Sequence, residues 1–310
     1  MSRYRVVFLG TPVFAVPSLD ALARAEEVTL VVTNPDRPAG RGRELTPPPV
    51  KNEAQRLGIP VVQPEKAKHP ESVARIAAER PDLIVVAAYG QILPPSILDI
   101  PRHGCINVHA SLLPRYRGAA PINWAIVRGE TVTGITIMKM DPGMDTGPML
   151  HVREEPIGEE DTAETMLPRL AALGAQALIE ALGMHHAGTL TETPQDGERA
   201  TYAPMLKKEH GRIDWGRPAR EVRNLVRGMT PWPSATTDHG GKTLKILAAS
   251  VRQETGEPGE LLSVDRDGIV VACGEGSLLL TKVQPEGGRA MSSREYAQGR
   301  RVRKGDRLSS

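Results

Sequence analysis

"RVVFLGTPVFAVPSLDALARAEEVTLVVT", residues 5 to 33, opens on an apolar run closed by a glycine, passes through a helical pattern and returns to a β-branched apolar run. A strand that is apolar at successive positions, rather than at every second one, is buried on both faces. Such a strand followed by a helix and another buried strand predicts a parallel pair joined by a helical crossover.

The pattern repeats outward from this stretch. A helix near "PVKNEAQRLG", the run "IPVVQ", a helix near "ESVARIAAERP", and the runs "LIVVAA" and "GCINVH" follow in order. Strands alternating with helices of about a dozen residues define an α/β fold with a Rossmann-like, mostly parallel sheet flanked by helices. Next, "TGITIMKMDPGMDTGPMLHVREEPI" reads as two strands joined by a Gly- and Asp-rich turn. "TAETMLPRLAALGAQALIEALGMHHAG" reads as a long amphipathic helix that ends the first domain.

From Thr189 the chain becomes polar, proline-dotted and aperiodic, the pattern of a linker. After a helix near "RPAREVRNLVRGM", the runs "KTLKILAASV", "GELLSVD" and "GIVVACGEGSLLLTKVQPEG" are short strands between Gly-rich turns, a small β-barrel pattern. The expected organisation is a first domain over 1–188, a linker over 189–207 and a C-terminal barrel over 208–310. A length of 310 residues fits two domains, with one large α/β domain as the alternative.

Composition excludes several classes. With 40% hydrophobic and 25% charged residues the chain is globular rather than disordered. Its longest apolar runs fall short of the ~20 residues that a membrane span requires. The opening "MSRYRVVFLG" lacks the features of a secretion signal, so a cytoplasmic protein with no membrane partner is expected. Cys105 and Cys273 are too few for a disulfide framework and lack metal-ligand spacing, so no metal is expected. A net charge of +2 does not by itself indicate a nucleic-acid partner. Two local basic clusters stand out: Arg37, Arg41, Arg43 and Lys51 against Glu44, and a tail rich in arginine from Arg289 to Arg307. Taken alone, each cluster is more often a solvated face than a set of phosphate contacts.

In parallel sheets ligands bind beyond the carboxyl ends of the strands. The relevant loops are "GTPVFAVP", "AAYGQILP" and "HASLLPRYRG". In "CINVH" the period of two places Cys105, Asn107 and His109 on one face, with Asn107 and His109 roughly 6 to 7 Å apart at their bases. An amide donor beside an imidazole suits an oxyanion developing on an acyl carbon. The plainer reading is a turn-capping Asn and a polar strand end. Asp145, in "MDPGMDTG", could orient the imidazole and favour its charged form, although Asp in a Gly-rich turn also serves as ordinary turn chemistry. "HASLL" is not a nucleophile elbow, Cys105 has no basic neighbour in sequence, and "FLGTPVF" has one glycine where a dinucleotide fingerprint needs three. Covalent catalysis and NAD binding are therefore disfavoured.

Together "FLGTPVFAVPSLDAL", "TNPDRPAGRG", "PPPVK", "AAYGQILP", "INVHASLLPRYRGAAPINWAI", "TGITIMKMDPGMDTGPML" and "TPWPSA" resemble the methionyl-tRNA formyltransferase family across nearly the whole chain. The departures are small: "TPWP" where "NPWP" is familiar, and arginine in place of lysine in the basic set. The resemblance implies transfer of the formyl group of 10-formyltetrahydrofolate, a cosubstrate, to the α-amine of initiator methionyl-tRNA, with no obligatory protein partner. Formylation of a small amine or amino sugar is the alternative.

The resemblance also assigns residues. It implies catalysis by Asn107, His109 and Asp145. It implies a folate pocket lined by Tyr89, Gly90, Gln91, Ile92, Ser111, Leu112, Leu113, Pro114, Met140 and Asp141. For tRNA it implies contacts from an inserted loop, residues 34–51, through Arg37, Arg41, Arg43 and Lys51. Further contacts would come from a C-terminal, oligonucleotide-binding-like barrel that carries Arg300, Arg301 and Arg303.

Overall fold

A computed structural model of the chain describes residues 3–39 and 44–309. The chain divides into two compact units: residues 1–121, 132–156 and 167–203 in the first, and 122–131, 157–166 and 204–310 in the second. The segment expected as a linker, 189–207, is thus split, with 189–203 belonging to the first unit.

The first unit is built in chain order from β1 (Arg5–Gly10), α1 (Val16–Ala25), β2 (Glu27–Val32), β3 (Arg37–Ala39), β4 (Glu44–Thr46), α2 (Pro49–Arg56), β5 (Val61–Val62) and α3 (Pro70–Ala78). It continues through β6 (Leu83–Ala87), α4 (Pro95–Leu98), β7 (Cys105–His109) and β8 (Arg117–Gly118). α5 (Pro121–Val127) belongs to the second unit from residue 122, and the first unit resumes with β9 (Val132–Lys139), β10 (Met149–Pro156), α6 (Ala163–His186), which joins it from residue 167, and β11 (Tyr202–Ala203).

Seven strands form one sheet in the order β10-β9-β7-β6-β1-β2-β5. The pairs among β5, β2, β1, β6 and β7 are parallel, whereas β9 runs antiparallel to both β7 and β10. Val6, Val7, Phe8 and Leu9 of β1 are all fully buried, as a central strand covered on both faces requires. Each such side chain contributes about 1.5–3 kcal/mol of burial free energy. The chain turns from β1 to β2 on one side and later to β6 on the other, so the β1/β6 boundary is the crevice where this topology places ligands.

The second unit contains α7 (Ala219–Gly228), β12 (Ala235–His239), β13 (Lys242–Arg252), β14 (Leu261–Val264), β15 (Ile269–Ala272), β16 (Ser277–Pro285), β17 (Met291–Ser292) and α8 (Ser293–Arg300). Its antiparallel sheet runs β12-β13-β16-β15-β14, with β17 added beside β16. The two outer strands do not pair with each other. Instead the tail spans them: Leu261 N–H donates to Asp306 O at 2.9 Å and Leu308 N–H to Gly259 O at 2.9 Å, while Asp238 and Ser309 exchange bonds at 2.9 and 3.0 Å. The expected barrel is therefore completed by the tail. Val302 and Leu308 anchor it in the core of the unit, beside Trp215, Leu261 and Tyr296. No helix among the described residues is long and apolar enough to cross a membrane.

Candidate active site

β7 delivers Asn107 and His109 to the carboxyl edge of the sheet, next to β6 through the pairing of Val86 with Asn107. On its other side Asn107 faces Met138 and His109 faces Thr136 of β9. Asn107 is half-buried and its amide has no hydrogen-bond partner among the described residues. A donor held on a rigid strand and left unpaired is available to a ligand.

His109 is 5% exposed. Its Nε2 lies 3.0 Å from the carbonyl of Tyr116. A carbonyl only accepts, so Nε2 carries the hydrogen, and Nδ1 is the nitrogen that faces Asp145, 3.7 Å from Oδ2. That separation is an ion-pair distance, longer than a hydrogen bond. The same Oδ2 accepts a bond from Gly118 N–H at 2.8 Å.

Asp145 reaches this position from the turn between β9 and β10, with φ at 52°. This left-handed conformation is one that Asp adopts more readily than most residues. Gly118 permits the approach from the other side. With φ at 117°, an added Cβ there would stand 2.8 Å from Ala203 O.

The tight loop after β7 is held by its own polar groups and by Thr136 of β9. Ser111 is buried and donates to Arg115 O at 2.6 Å, while Thr136 Oγ1 donates to Ser111 O at 2.7 Å and accepts from Leu113 N–H at 3.1 Å. The loop after β6 has Ala88 and Gly90 at φ 46° and 84°. It is tied to the β1 and β2 ends by Asn34, whose Nδ2 donates to Tyr89 O at 2.8 Å and to Thr11 Oγ1 at 3.0 Å. Gln91 completes that tie, donating to Asn34 Oδ1 at 2.7 Å and accepting from Ala67 N–H at 2.8 Å. Ile92 projects outward, 85% exposed, whereas the Tyr89 ring is buried and its hydroxyl is pushed up to about 12 by burial. Leu113 and Tyr116 are buried and Leu112 and Pro114 half-buried, while Met140 packs on the sheet core. Asp141 is turn chemistry: Oδ1 accepts from Gly143 N–H at 3.1 Å and Thr146 Oγ1 at 2.7 Å.

Burial pushes the Cys105 thiol up to about 12, so it is not a thiolate at neutral pH. Among the described residues no group of three His, Cys, Asp or Glu side chains gathers as a metal site.

Of the basic residues, Arg37 is exposed on β3, which pairs with β4 through Arg37 and Thr46. Arg41 and Arg43 lie outside the described residues. Lys51 spends its charge locally, with Nζ 2.8 and 2.7 Å from the two carboxylate oxygens of Asp36. Arg300, Arg301 and Arg303 are exposed in the second unit. Arg301 and Arg303, with Arg266 and Arg294, line a groove of about 370 Å³.

Several supporting residues carry no local signal in the sequence. Arg117 is 6% exposed, and its Nε and Nη2 donate to Gln195 Oε1 at 3.0 and 2.8 Å. Gln195 Nε2 in turn donates to Asp145 O at 2.9 Å and Gly147 O at 2.7 Å. Thr201 accepts Tyr116 N–H on its hydroxyl at 2.8 Å and Arg117 N–H on its carbonyl at 2.8 Å.

A mostly parallel α/β sheet that carries an unpaired amide and an imidazole at one edge, with a carboxylate facing the imidazole, offers groups that can serve transfer at an acyl carbon. The chain belongs to the formyl transferase family: the family's model matches residues 4–182, and the model of its C-terminal domain matches residues 205–301. A methionyl-tRNA formyltransferase of Geobacter metallireducens is 54% identical, covering 99% of this chain and 99% of its own. Its namesake in Geobacter sulfurreducens is 55% identical, over 99% and 98%. An N-formyltransferase from Helicobacter canadensis, solved with folinic acid and dTDP-3-aminofucose, shares the fold at a TM-score of 0.66 and 16% identity, covering 90% of this chain and 99% of that one.

Proposed function

We propose that this protein transfers the formyl group of 10-formyltetrahydrofolate to the α-amine of initiator methionyl-tRNA, giving N-formylmethionyl-tRNA and tetrahydrofolate for translation initiation. The observation that carries the reading is the Asn107, His109 and Asp145 constellation at the sheet edge, in a chain that matches methionyl-tRNA formyltransferases over its full length.

The residues present suit a folate. Asn107 offers an unpaired amide, the Tyr89 to Ile92 loop offers main-chain groups and an exposed isoleucine, and Leu112 to Pro114 supply an apolar wall. Met140 and Asp141 close the opposite side, with Asp141 shaping the turn rather than contacting the ligand. Bound there, the folate supplies an activated formyl carbon.

The chain's own groups then act on that carbon. Asn107 donates to the formyl oxygen as negative charge develops on it, and His109, protonated on Nδ1, adds a second stabilising charge. Asp145 Oδ2, 3.7 Å from that nitrogen, orients the imidazole. As the new C–N bond forms and the bond to the folate nitrogen breaks, the amine loses a proton and the leaving nitrogen gains one. His109 Nδ1, with water, carries that proton. No bound metal is needed, because the nucleophile is an amine.

The first unit performs the chemistry and the second unit holds tRNA. Arg37, Arg41 and Arg43 contact the acceptor end, with Lys51 bracing the base of their loop through Asp36. Arg301 and Arg303, joined by Arg266 and Arg294 in one groove and by the neighbouring Arg300, contact backbone phosphates. The enzyme works in the cytoplasm without an obligatory protein partner. Incubation with 10-formyltetrahydrofolate and methionyl-tRNA tests the reading directly. Formylmethionine on the RNA is the expected product, and formylation of amino sugars with none on the RNA would overturn it.

A further inference from the structure

We infer that Gln195 and Arg117 are positioning residues for the transfer step, acting through Asp145; this rests on the catalytic reading of Asp145 given above. Three ties to the His109–Asp145 pair converge on β8. The residue before it, Tyr116, offers the carbonyl that takes Nε2–H of His109. Its second residue, Gly118, donates its N–H to Asp145 Oδ2. The first, Arg117, reaches Asp145 indirectly, through Gln195.

That indirect tie fixes the main chain of the turn. Gln195 uses its whole amide: Oε1 takes both Arg117 bonds, while Nε2 holds the carbonyls of Asp145 and Gly147. The buried guanidinium fixes which way round the amide lies, because only the oxygen can accept from it. Reversing the amide would set NH₂ against a guanidinium. The turn is therefore held with Asp145 in its left-handed conformation and its carboxylate toward His109, while the carboxylate itself remains free of Gln195. A carboxylate 3.7 Å from an imidazole nitrogen responds to small displacements, and misplacements near 1 Å can cost about a hundredfold in rate. β8 is in turn held by β11 and Thr201, so residues 195–203 act as an external brace on the loop after β7.

The test is a double-mutant cycle with Gln195→Ala and Asp145→Asn, measured by single-turnover formyl transfer and by the KM for each substrate. Gln195→Ala should lower the transfer rate about ten- to a hundredfold with both KM values unchanged, and should add nothing to the loss in the Asp145→Asn background. Gln195→Glu, which keeps an acceptor for Arg117 and loses the donor to Asp145 O and Gly147 O, should share the defect while retaining the thermal midpoint. Additive losses, or a normal rate in both Gln195 variants, would overturn the positioning role. A normal rate in Asp145→Asn alone would instead remove the catalytic reading on which it rests. Should Gln195→Ala fail to fold, Gln195→Glu and Arg117→Lys in the same cycle decide the matter by the same criteria.

Discussion

The Nε2–H of His109 is held by the carbonyl of Tyr116 at 3.0 Å, which leaves Nδ1 as the nitrogen that faces Asp145. The imidazole can therefore exchange a proton on one side only, while its ring orientation stays fixed by the other.

From this follows a spectroscopic expectation. In ¹⁵N-labelled protein, the neutral imidazole of His109 should be the tautomer with its hydrogen on Nε2. The tautomer with its hydrogen on Nδ1 would contradict the assignment of roles. In parallel, His109→Ala and Asn107→Ala should each reduce single-turnover transfer by about a hundred- to a thousandfold, the usual cost of one lost oxyanion donor.

The proposed RNA contact of the inserted loop is separable from the folate site by mutation. Arg41→Ala should weaken the use of methionyl-tRNA and leave folate affinity unchanged, as read from the two KM values measured separately. An equal loss in folate affinity would remove the loop from the RNA site.

Salt dependence checks the groove of the second unit. Replacing Arg294 and Arg301 together should flatten the plot of log affinity for tRNA against log salt by about two, one per lost phosphate contact, with no change in folate binding. An unaltered slope would show that the groove faces solvent in the complex.

His103 and His185 should make stability depend on pH. Burial lowers both, with Arg102 adding to the effect on His103 and His103 adding to that on His185. The Tyr4 hydroxyl lies 2.7 Å from His185 Nδ1. Because the unfolded chain binds these protons more readily, the stabilisation is complete above the unfolded pKa of about 6.5 and is lost as pH falls below it. Thermal midpoints measured from pH 8 to pH 5 should fall, and the fall should be shallower in His185→Gln.

Leu308, two residues from the C-terminal serine, is 6% exposed in the core of the second unit. Leu308→Ala should cost about 2–4 kcal/mol in the unfolding of that unit, measured with urea. A change below about 0.5 kcal/mol would mean that the tail does not complete the barrel.

Much of the fold was legible because its signal is local. Val6 to Leu9 and Leu83 to Ala87 are buried on both faces, and runs of that kind are visible without knowing what covers them. Asn107 and His109 stood out for the same reason, as polar residues ending an apolar strand. The sequence by itself determined the alternation of elements, the edge of the sheet where chemistry could occur, and the family of the chain.

Tertiary structure decided the rest. It selected which nitrogen of His109 is free, paired Lys51 with Asp36, and brought Gln195 to Arg117 across 78 positions of sequence. It also closed the barrel with a tail whose polar composition resembles any exposed end. The physical reason is that apolar periodicity repeats within one element, whereas the partner of a single donor or acceptor is fixed only when distant segments meet and exclude water between them.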